Sequence, residues 1–179
     1  LLAGEELQAW TAALLERFET PPDIAADVAD VLVTADRRAI ASHGTARLPQ
    51  YVALIESDTM DPEARPELLR SKAAIALFDA HNGWGHHASR VAIDAAIEGA
   101  RESGSFTAVL RHSNHFGIAG WYALRAADAG LTAPSMAEAI IGVAEDDALR
   151  ADLVARGRTR ARRYSWTASA EKHVEVYRQ

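Results

Sequence analysis

Two short apolar segments on either side of a long amphipathic one constrain the fold of this chain more than any other feature. The segments "KAAIALFDA" (72–80) and "FTAVLRHS" (106–113) each hold an apolar run of strand length. Between them, "HHASRVAIDAAIEGARESG" (86–104) has apolar residues at helical spacing and ends at Gly104, a glycine suited to a helix C-cap. A strand, a helix and a strand in this order predict a βαβ unit, and therefore an α/β core.

Helical periodicity extends on both sides of this unit. Thr20 or Asp23 is the expected N-cap of the second of these helices, and Gly130 closes the last one before a helical tail that begins near residue 133. Since only two strands are visible and sheets commonly hold about 4–6, the α/β core is expected to be partial. The predicted helices before the tail cover residues 5–18, 24–39, 46–57 and 117–130.

The composition restricts the classes of function. The chain has 179 residues, a net charge of −6 and a pI of about 5.6, which argue against a nucleic-acid footprint. It contains no cysteine, so it has no disulfide, no thiolate metal site and no cysteine nucleophile. No apolar run approaches the roughly 20 residues that cross a bilayer, and the N-terminus lacks the features of a signal peptide. We therefore expect a cytoplasmic protein without a membrane partner.

The loop "IASHG" is the first candidate for chemistry. His43 lies in it, Arg47 follows four residues later, and Tyr51 follows four residues after that. If a helix begins near Thr45, Arg47 and Tyr51 share one face of it. A guanidinium, a phenol and an imidazole together suit a small anionic substrate whose hydroxyl or carbonyl exchanges a proton. The alternative is a loop histidine that caps a helix, with a surface arginine nearby.

The stretch "RHSNHFGIAGWY" is the second candidate, because His115 follows a predicted strand, where α/β folds place reactive groups. With a pKa near 6.5, a histidine there acts as a general acid or base, or it holds turn backbone groups instead. The segment "HNGWGHH" carries His81, His86 and His87, but no carboxylate or cysteine completes a tetrahedral metal site, so a glycine turn without metal is expected. No G-x-G-x-x-G phosphate loop is present.

Three ordered motifs, "ADRRAIASHGTARLPQYV", "DAHNGWGH" and "LRHSNHFGIAGWYALRAADAGL", resemble the malate/L-lactate dehydrogenase family from about residue 5 to residue 131. The resemblance implies an unusual α/β fold without a Rossmann fingerprint. It also implies that NAD or NADP carries hydride to or from a small 2-keto or 2-hydroxy acid, and that the protein forms a homodimer. Residues 1–132 are therefore expected to be the N-terminal part of such a domain.

The resemblance also implies roles for individual residues. The histidine of "SHG" is His43 and that of "SNHFG" is His115, and members of the family use one or the other for proton transfer. Arg47 would bind the substrate carboxylate. The remaining substrate-binding residues implied by the motifs are Ser42, Tyr51 and Asn114.

Two departures from the family pattern concern the first motif. Where the family has "D-x-R-G-I-D-S-H-G", this chain reads "DRRAIASHG", with Ala39 in place of glycine and Ala41 in place of aspartate. The residues that hold the nucleotide in the family lie mainly downstream of "SNHFG". We therefore expect cofactor-binding residues outside these motifs and an activity impaired by their loss, with a non-catalytic fragment as the alternative.

Residues 133–179 resemble a different family, the C-terminal tail of group 1 glycosyltransferases of the GT-B fold. The resemblance rests on "AEAI", on the arginine-rich stretch "LRADLVARGRTRARR" and on "YSW". It implies an all-helical tail that carries no donor-sugar site, so the arginines are expected to lie on solvated helix faces. The sequence thus predicts a chimeric chain, and a glycosyltransferase fragment is the least favoured function.

Overall fold

The computed structural model of the protein describes residues 4–131, and the tail predicted for residues 133–179 lies outside the described residues. The mixed α/β architecture is confirmed for this part of the chain. It contains five α-helices, three strands and two single 3₁₀ turns. Their bounds are α1 Gly4–Glu16, α2 Pro22–Arg37, the 3₁₀ turns Ala41–His43 and Thr45–Arg47, α3 Leu48–Glu56, β1 Glu67–Lys72, β2 Ile75–Asp79, α4 Gly85–Ser103, β3 Thr107–Arg111 and α5 Ala119–Asp128.

The predicted βαβ unit is β2, α4 and β3. The two strands pair in parallel, with Ile75 opposite Thr107 and Asp79 opposite Arg111, and α4 covers one face of the pair. Because the strands are parallel, their carboxyl ends meet at one edge of the sheet, and the chain leaves each strand into a turn there. That edge carries the "HNGWG" and "RHSNHFG" segments.

One strand, β1, was not predicted from the sequence; it pairs antiparallel with β2 to give the sheet order β1-β2-β3. All six residues of β1 are exposed, so the strand has no alternation of buried and exposed positions for a pattern search to detect. It forms through the tight hairpin at Ala73, whose φ is 50°. At the other edge of the sheet, β3 has no second partner strand among residues 4–131.

The N-terminal helices pack into a core of their own. The buried side of α2 supplies Ile24, Val28 and Leu32, and the indole of Trp84, which is 1% exposed, completes the cluster from the turn before α4. The side chain of Tyr51 belongs to the same cluster and projects from α3 toward that turn. The first helices therefore pack directly against the turn that follows β2.

The predicted N-cap of α2 is wrong. The helix begins at Pro22, whose fixed φ suits a first helical position, and no side chain caps it. Thr20 instead accepts a hydrogen bond from the indole N–H of Trp84 at 3.2 Å, and Asp23 forms an ion pair with Arg65 at 2.7 Å. The tertiary partners of these side chains lie more than 40 residues away in the chain, so local sequence does not reveal them.

Candidate active site

The loop between α2 and α3 holds three of the predicted site residues against one another. Ser42 Oγ lies 2.9 Å from Nδ1 of His43. Arg47 donates from Nε to the carbonyl oxygen of Ser42 at 2.7 Å and from Nη1 to the side chain of Gln50 at 3.0 Å. No carboxylate of residues 4–131 forms an ion pair with Arg47, so its guanidinium is oriented without being neutralised.

Asp36, near the end of α2, fixes this loop. Its Oδ2 accepts hydrogen bonds from the backbone N–H of Thr45 at 2.9 Å and from the Thr45 hydroxyl at 2.7 Å. A Cβ on Gly44 would overlap the same carboxylate, so a larger residue there would displace the Asp36 side chain. Ala41 replaces an aspartate of the family pattern. The loop is nevertheless anchored by the bonds from Thr45 to Asp36.

His115, in the turn that follows β3, lies against the same loop. Its ring centroid is 5.3 Å from that of His43. The Tyr51 hydroxyl is 2.9 Å from His115 Nδ1, and the N–H of Gly117 donates to the same nitrogen at 3.2 Å. The structure thus brings His43, Tyr51 and His115 together, with Arg47 bonded to the backbone beside His43.

Electrostatics set the protonation of this cluster. Burial, the positive charge of Arg47 and the neighbouring His43 all lower the pKa of His115. Burial raises the pKa of Tyr51, although Arg47 opposes the rise, so Tyr51 stays a phenol at neutral pH. The phenol therefore donates to Nδ1 of a neutral His115 ring, and this bond itself favours the neutral ring.

Unlike the side chains of Tyr51 and His115, that of Asn114 is bonded to the turn that follows β2. Its amide nitrogen donates to the carbonyl oxygens of Asn82 at 2.7 Å and of Gly83 at 3.0 Å. The amide N–H groups are therefore occupied by the turn that follows β2. A role of Asn114 in substrate binding stays a prediction, and its side-chain oxygen is the atom left for it.

His86 is a residue that the sequence reading set aside. Its side chain is completely buried, and neither ring nitrogen has a hydrogen-bond partner among residues 4–131. The ring is edge-on to Tyr51 at 5.4 Å and tilted against His115 at 6.1 Å. Burial, with smaller contributions from His115 and Arg47, lowers its pKa to about 3, so the ring is neutral.

The neighbour of His86 points elsewhere. His87 Nδ1 lies 2.6 Å from the carboxylate of Asp27 on α2. Adjacent histidines on a helix diverge by about 100°, so only one of the two can face the site. The sequence indicates that the two rings point in different directions, but it does not indicate which of them faces His115. Among residues 4–131, no three His, Asp or Glu side chains are grouped so that they could hold a metal ion.

A groove beside the His115 turn is the part of the described structure that could receive a cofactor ring. It has a volume of about 690 Å³ and lies between α4, β3 and α5, with Phe106, Phe116 and Ile93 among its apolar walls and Asn114 at its rim. These walls suit a planar aromatic ring such as nicotinamide. No arginine or lysine lines the groove, so the groove itself supplies no cation for the diphosphate of NAD or NADP.

Comparison with known proteins identifies the family of the chain. The sequence profile of the Malate/L-lactate dehydrogenase family matches residues 2–149. The chain is 40% identical over 132 residues to the malate dehydrogenase of Pyrococcus abyssi, which covers 74% of this chain and 36% of that protein. It is 35% identical over 127 residues to the L-lactate dehydrogenase of Cupriavidus necator, which covers 71% of this chain and 36% of that protein.

A solved structure shows the same fold. The malate dehydrogenase of Pyrococcus horikoshii superposes with a TM-score of 0.69 at 35% identity, over 72% of this chain and 37% of that one. The chain therefore spans somewhat over a third of the length of these relatives. The family match also runs past residue 132, where the sequence predicts a boundary, and the glycosyltransferase resemblance of the tail stays a prediction. Because the match includes most of its residues, the chain belongs to the malate/L-lactate dehydrogenase family.

Proposed function

We propose that the chain acts in the interconversion of a small 2-keto acid and the corresponding 2-hydroxy acid, with NAD or NADP as the hydride carrier. The observation that carries the proposal is the contact of His43 with His115, at 5.3 Å between ring centroids, beside an Arg47 that has no carboxylate partner among residues 4–131. The reaction moves a proton to or from one substrate oxygen beside a substrate carboxylate. An imidazole and an oriented guanidinium supply those two functions.

The low pKa of His115 favours one direction of proton movement. A neutral imidazole accepts a proton at Nε2 from the hydroxyl of a 2-hydroxy acid once its own proton is on Nδ1, where the Tyr51 hydroxyl then accepts the hydrogen bond. The keto acid instead needs the protonated ring as donor. A bound substrate carboxylate raises the pKa of a neighbouring histidine, because an opposite charge stabilises the imidazolium. In this proposal His43 and His115 are the acid/base residues, Arg47 binds the carboxylate, and Ser42, Tyr51 and Asn114 border the substrate.

We further propose that turnover is slow. The groove provides apolar walls for a ring but no cation for a diphosphate, so it would hold a nucleotide weakly by itself. The family resemblance also favours a homodimer, which sedimentation velocity of the full chain would detect.

Fluorescence titration of the full 179-residue chain with NADH and with NADPH tests the proposal, first alone and then with oxaloacetate or pyruvate. Saturable binding followed by loss of reduced cofactor is the expected result. His115→Ala should lower turnover by about 10²–10⁴-fold. Asp94→Asn is the control, because Asp94 lies on α4 and contacts Arg90 and Arg125 instead of the His115 cluster. Failure of both cofactors to bind would instead support a non-catalytic chain.

A further inference from the structure

One buried carboxylate joins the two turns at the carboxyl ends of β2 and β3. Asp79 is the last residue of β2 and is 3% exposed. Its oxygens accept hydrogen bonds from the backbone N–H of His81 at 2.9 Å, from Nε of Arg111 at 2.8 Å and from Nδ1 of His112 at 3.1 Å. The first contact lies within the turn after β2, and the other two reach the end of β3 and the start of the next turn.

Both turns contain backbone conformations that L-residues avoid. His81, Asn82 and His112 have φ values of 48°, 63° and 49°. The left-handed region is unfavourable for a residue with a Cβ, which approaches the carbonyl oxygen too closely there. Such residues persist only where the surrounding structure over-determines them, and they cluster at functional sites. Here two of the three, His81 and His112, are bonded directly to Asp79.

A second set of hydrogen bonds connects the two turns to each other close to His115. The N–H of Asn82 donates to the carbonyl oxygen of His112 at 2.8 Å, and the Asn114 amide donates back to Asn82 and Gly83. A Cβ on Gly85 would lie 2.5 Å from the carbonyl oxygen of His115, so the two turns are in direct contact there. The backbone of His115 is therefore fixed against the turn that Asp79 holds.

We propose that Asp79 is a positioning residue that sets the location of His115 by clamping the two strained turns together. The inference rests on the proposed function for its catalytic consequence. Asp79 bonds to the residues that precede His115, so it acts through the backbone. The His81 N–H, with Arg111 and His112, keeps the pKa of Asp79 well below its usual range, which leaves the carboxylate ionised at neutral pH.

Asp79→Asn in the full chain tests the inference, with Asp94→Asn as the matched control. Asp94 also binds two arginines, Arg90 and Arg125, but it lies on α4 away from the turns. The first readout is the pKa of His115, measured by NMR titration of its imidazole resonances. In Asp79→Asn the ring should leave its half-buried place beside Arg47 and His43, and its pKa should rise toward about 6.5. Asp94→Asn should leave that pKa unchanged.

A second readout is turnover with NADH or NADPH. Asp79→Asn should lower kcat more than it raises KM, because the proton-transfer group is displaced while Arg47 stays in place. An unchanged titration of His115 in Asp79→Asn would overturn the inference. If that variant does not fold, Arg111→Met removes one bond of the clamp at a half-exposed side chain, and the same titration decides. If the wild type turns over no keto acid while the pKa of His115 still responds to Asp79, the proposed function fails and the positioning role stands.

Discussion

The hydroxyl of Tyr51 lies 2.9 Å from Nδ1 of His115, across 64 residues of sequence. This bond links α3, which carries Arg47 at its entrance, to the turn after β3. Because the N–H of Gly117 also donates to Nδ1, the ring meets donors on that edge and its other nitrogen faces away from them. The relationship explains how two motifs far apart in the chain form one cluster.

Removal of the Tyr51 hydroxyl should change the titration of His115. In Tyr51→Phe the neutral imidazole loses a hydrogen-bond donor, so we expect its pKa to rise toward about 6.5 in an NMR titration. Tyr122→Phe is the control, since the Tyr122 hydroxyl donates to the carbonyl oxygen of Phe116 and not to the ring. An equal rise in both variants would mean that a looser turn, and not the lost bond, controls the pKa.

Restoring glycine at position 39 should stabilise the protein. Ala39, where the family has glycine, has a φ of 59°. Relief of this conformation in Ala39→Gly should exceed the added entropy of the unfolded chain and raise the free energy of unfolding by about 0.5–1 kcal/mol. Urea unfolding measures it. Ala26→Gly, at an exposed position within α2, should have the opposite sign, with a loss of about 1 kcal/mol.

Gly117 tests how tightly the His115 turn packs on the helices below it. Its φ is 78°, and a Cβ there would lie 2.6 Å from Val31 and 3.0 Å from the His86 ring. We expect Gly117→Ala to lower the free energy of unfolding by about 2–4 kcal/mol, from backbone strain and overpacking together. Gly104→Ala has the same φ and no atom within 4 Å, so it reports the strain alone. Equal losses in the two variants would show that the turn has room to move.

His86 should make stability depend on pH. Its folded pKa of about 3 lies below the roughly 6.5 of an unfolded histidine, so the unfolded state binds more protons between these values. Stability should therefore fall as pH falls below about 6.5, by up to about 1.4 kcal/mol per pH unit. In His86→Phe this slope should decrease in urea unfolding between about pH 5 and pH 7.

Ala26→Gly provides the control for that slope. It also destabilises the protein but removes no ionisable group, so the pH dependence of unfolding should stay as in the wild type. A slope that is unchanged in His86→Phe would show that the buried ring is protonated in the folded state.

The sequence predicted the helices and strands in which the spacing of apolar residues reflects which side is buried. The apolar spacing of α4 and the run in β2 and β3 gave the βαβ unit, and Gly104 ended α4 where expected, at a φ of 78°. The strand β1 could not be found this way, because its six exposed residues carry no burial pattern. This strand depends on its pairing with β2, and a contact between two segments leaves no pattern within either one.

The same distinction applies to the site. Motif resemblance named His43, Arg47, Tyr51 and His115 in advance, and the structure brings them together. His86 was missed because a pair of adjacent histidines looks the same in sequence whichever ring faces inward.

Exposed apolar side chains on the sheet of residues 4–131 have a practical consequence for handling the protein. Parallel strands occur almost only in sheets that are covered on both faces, yet Ile75 and Val109 are 50% and 41% exposed. Together with the unpaired edge of β3 among residues 4–131, these apolar side chains offer a surface on which copies can stack or add strands. A fragment of residues 4–131 should therefore have a low solubility limit, and light scattering should increase steeply as it is concentrated.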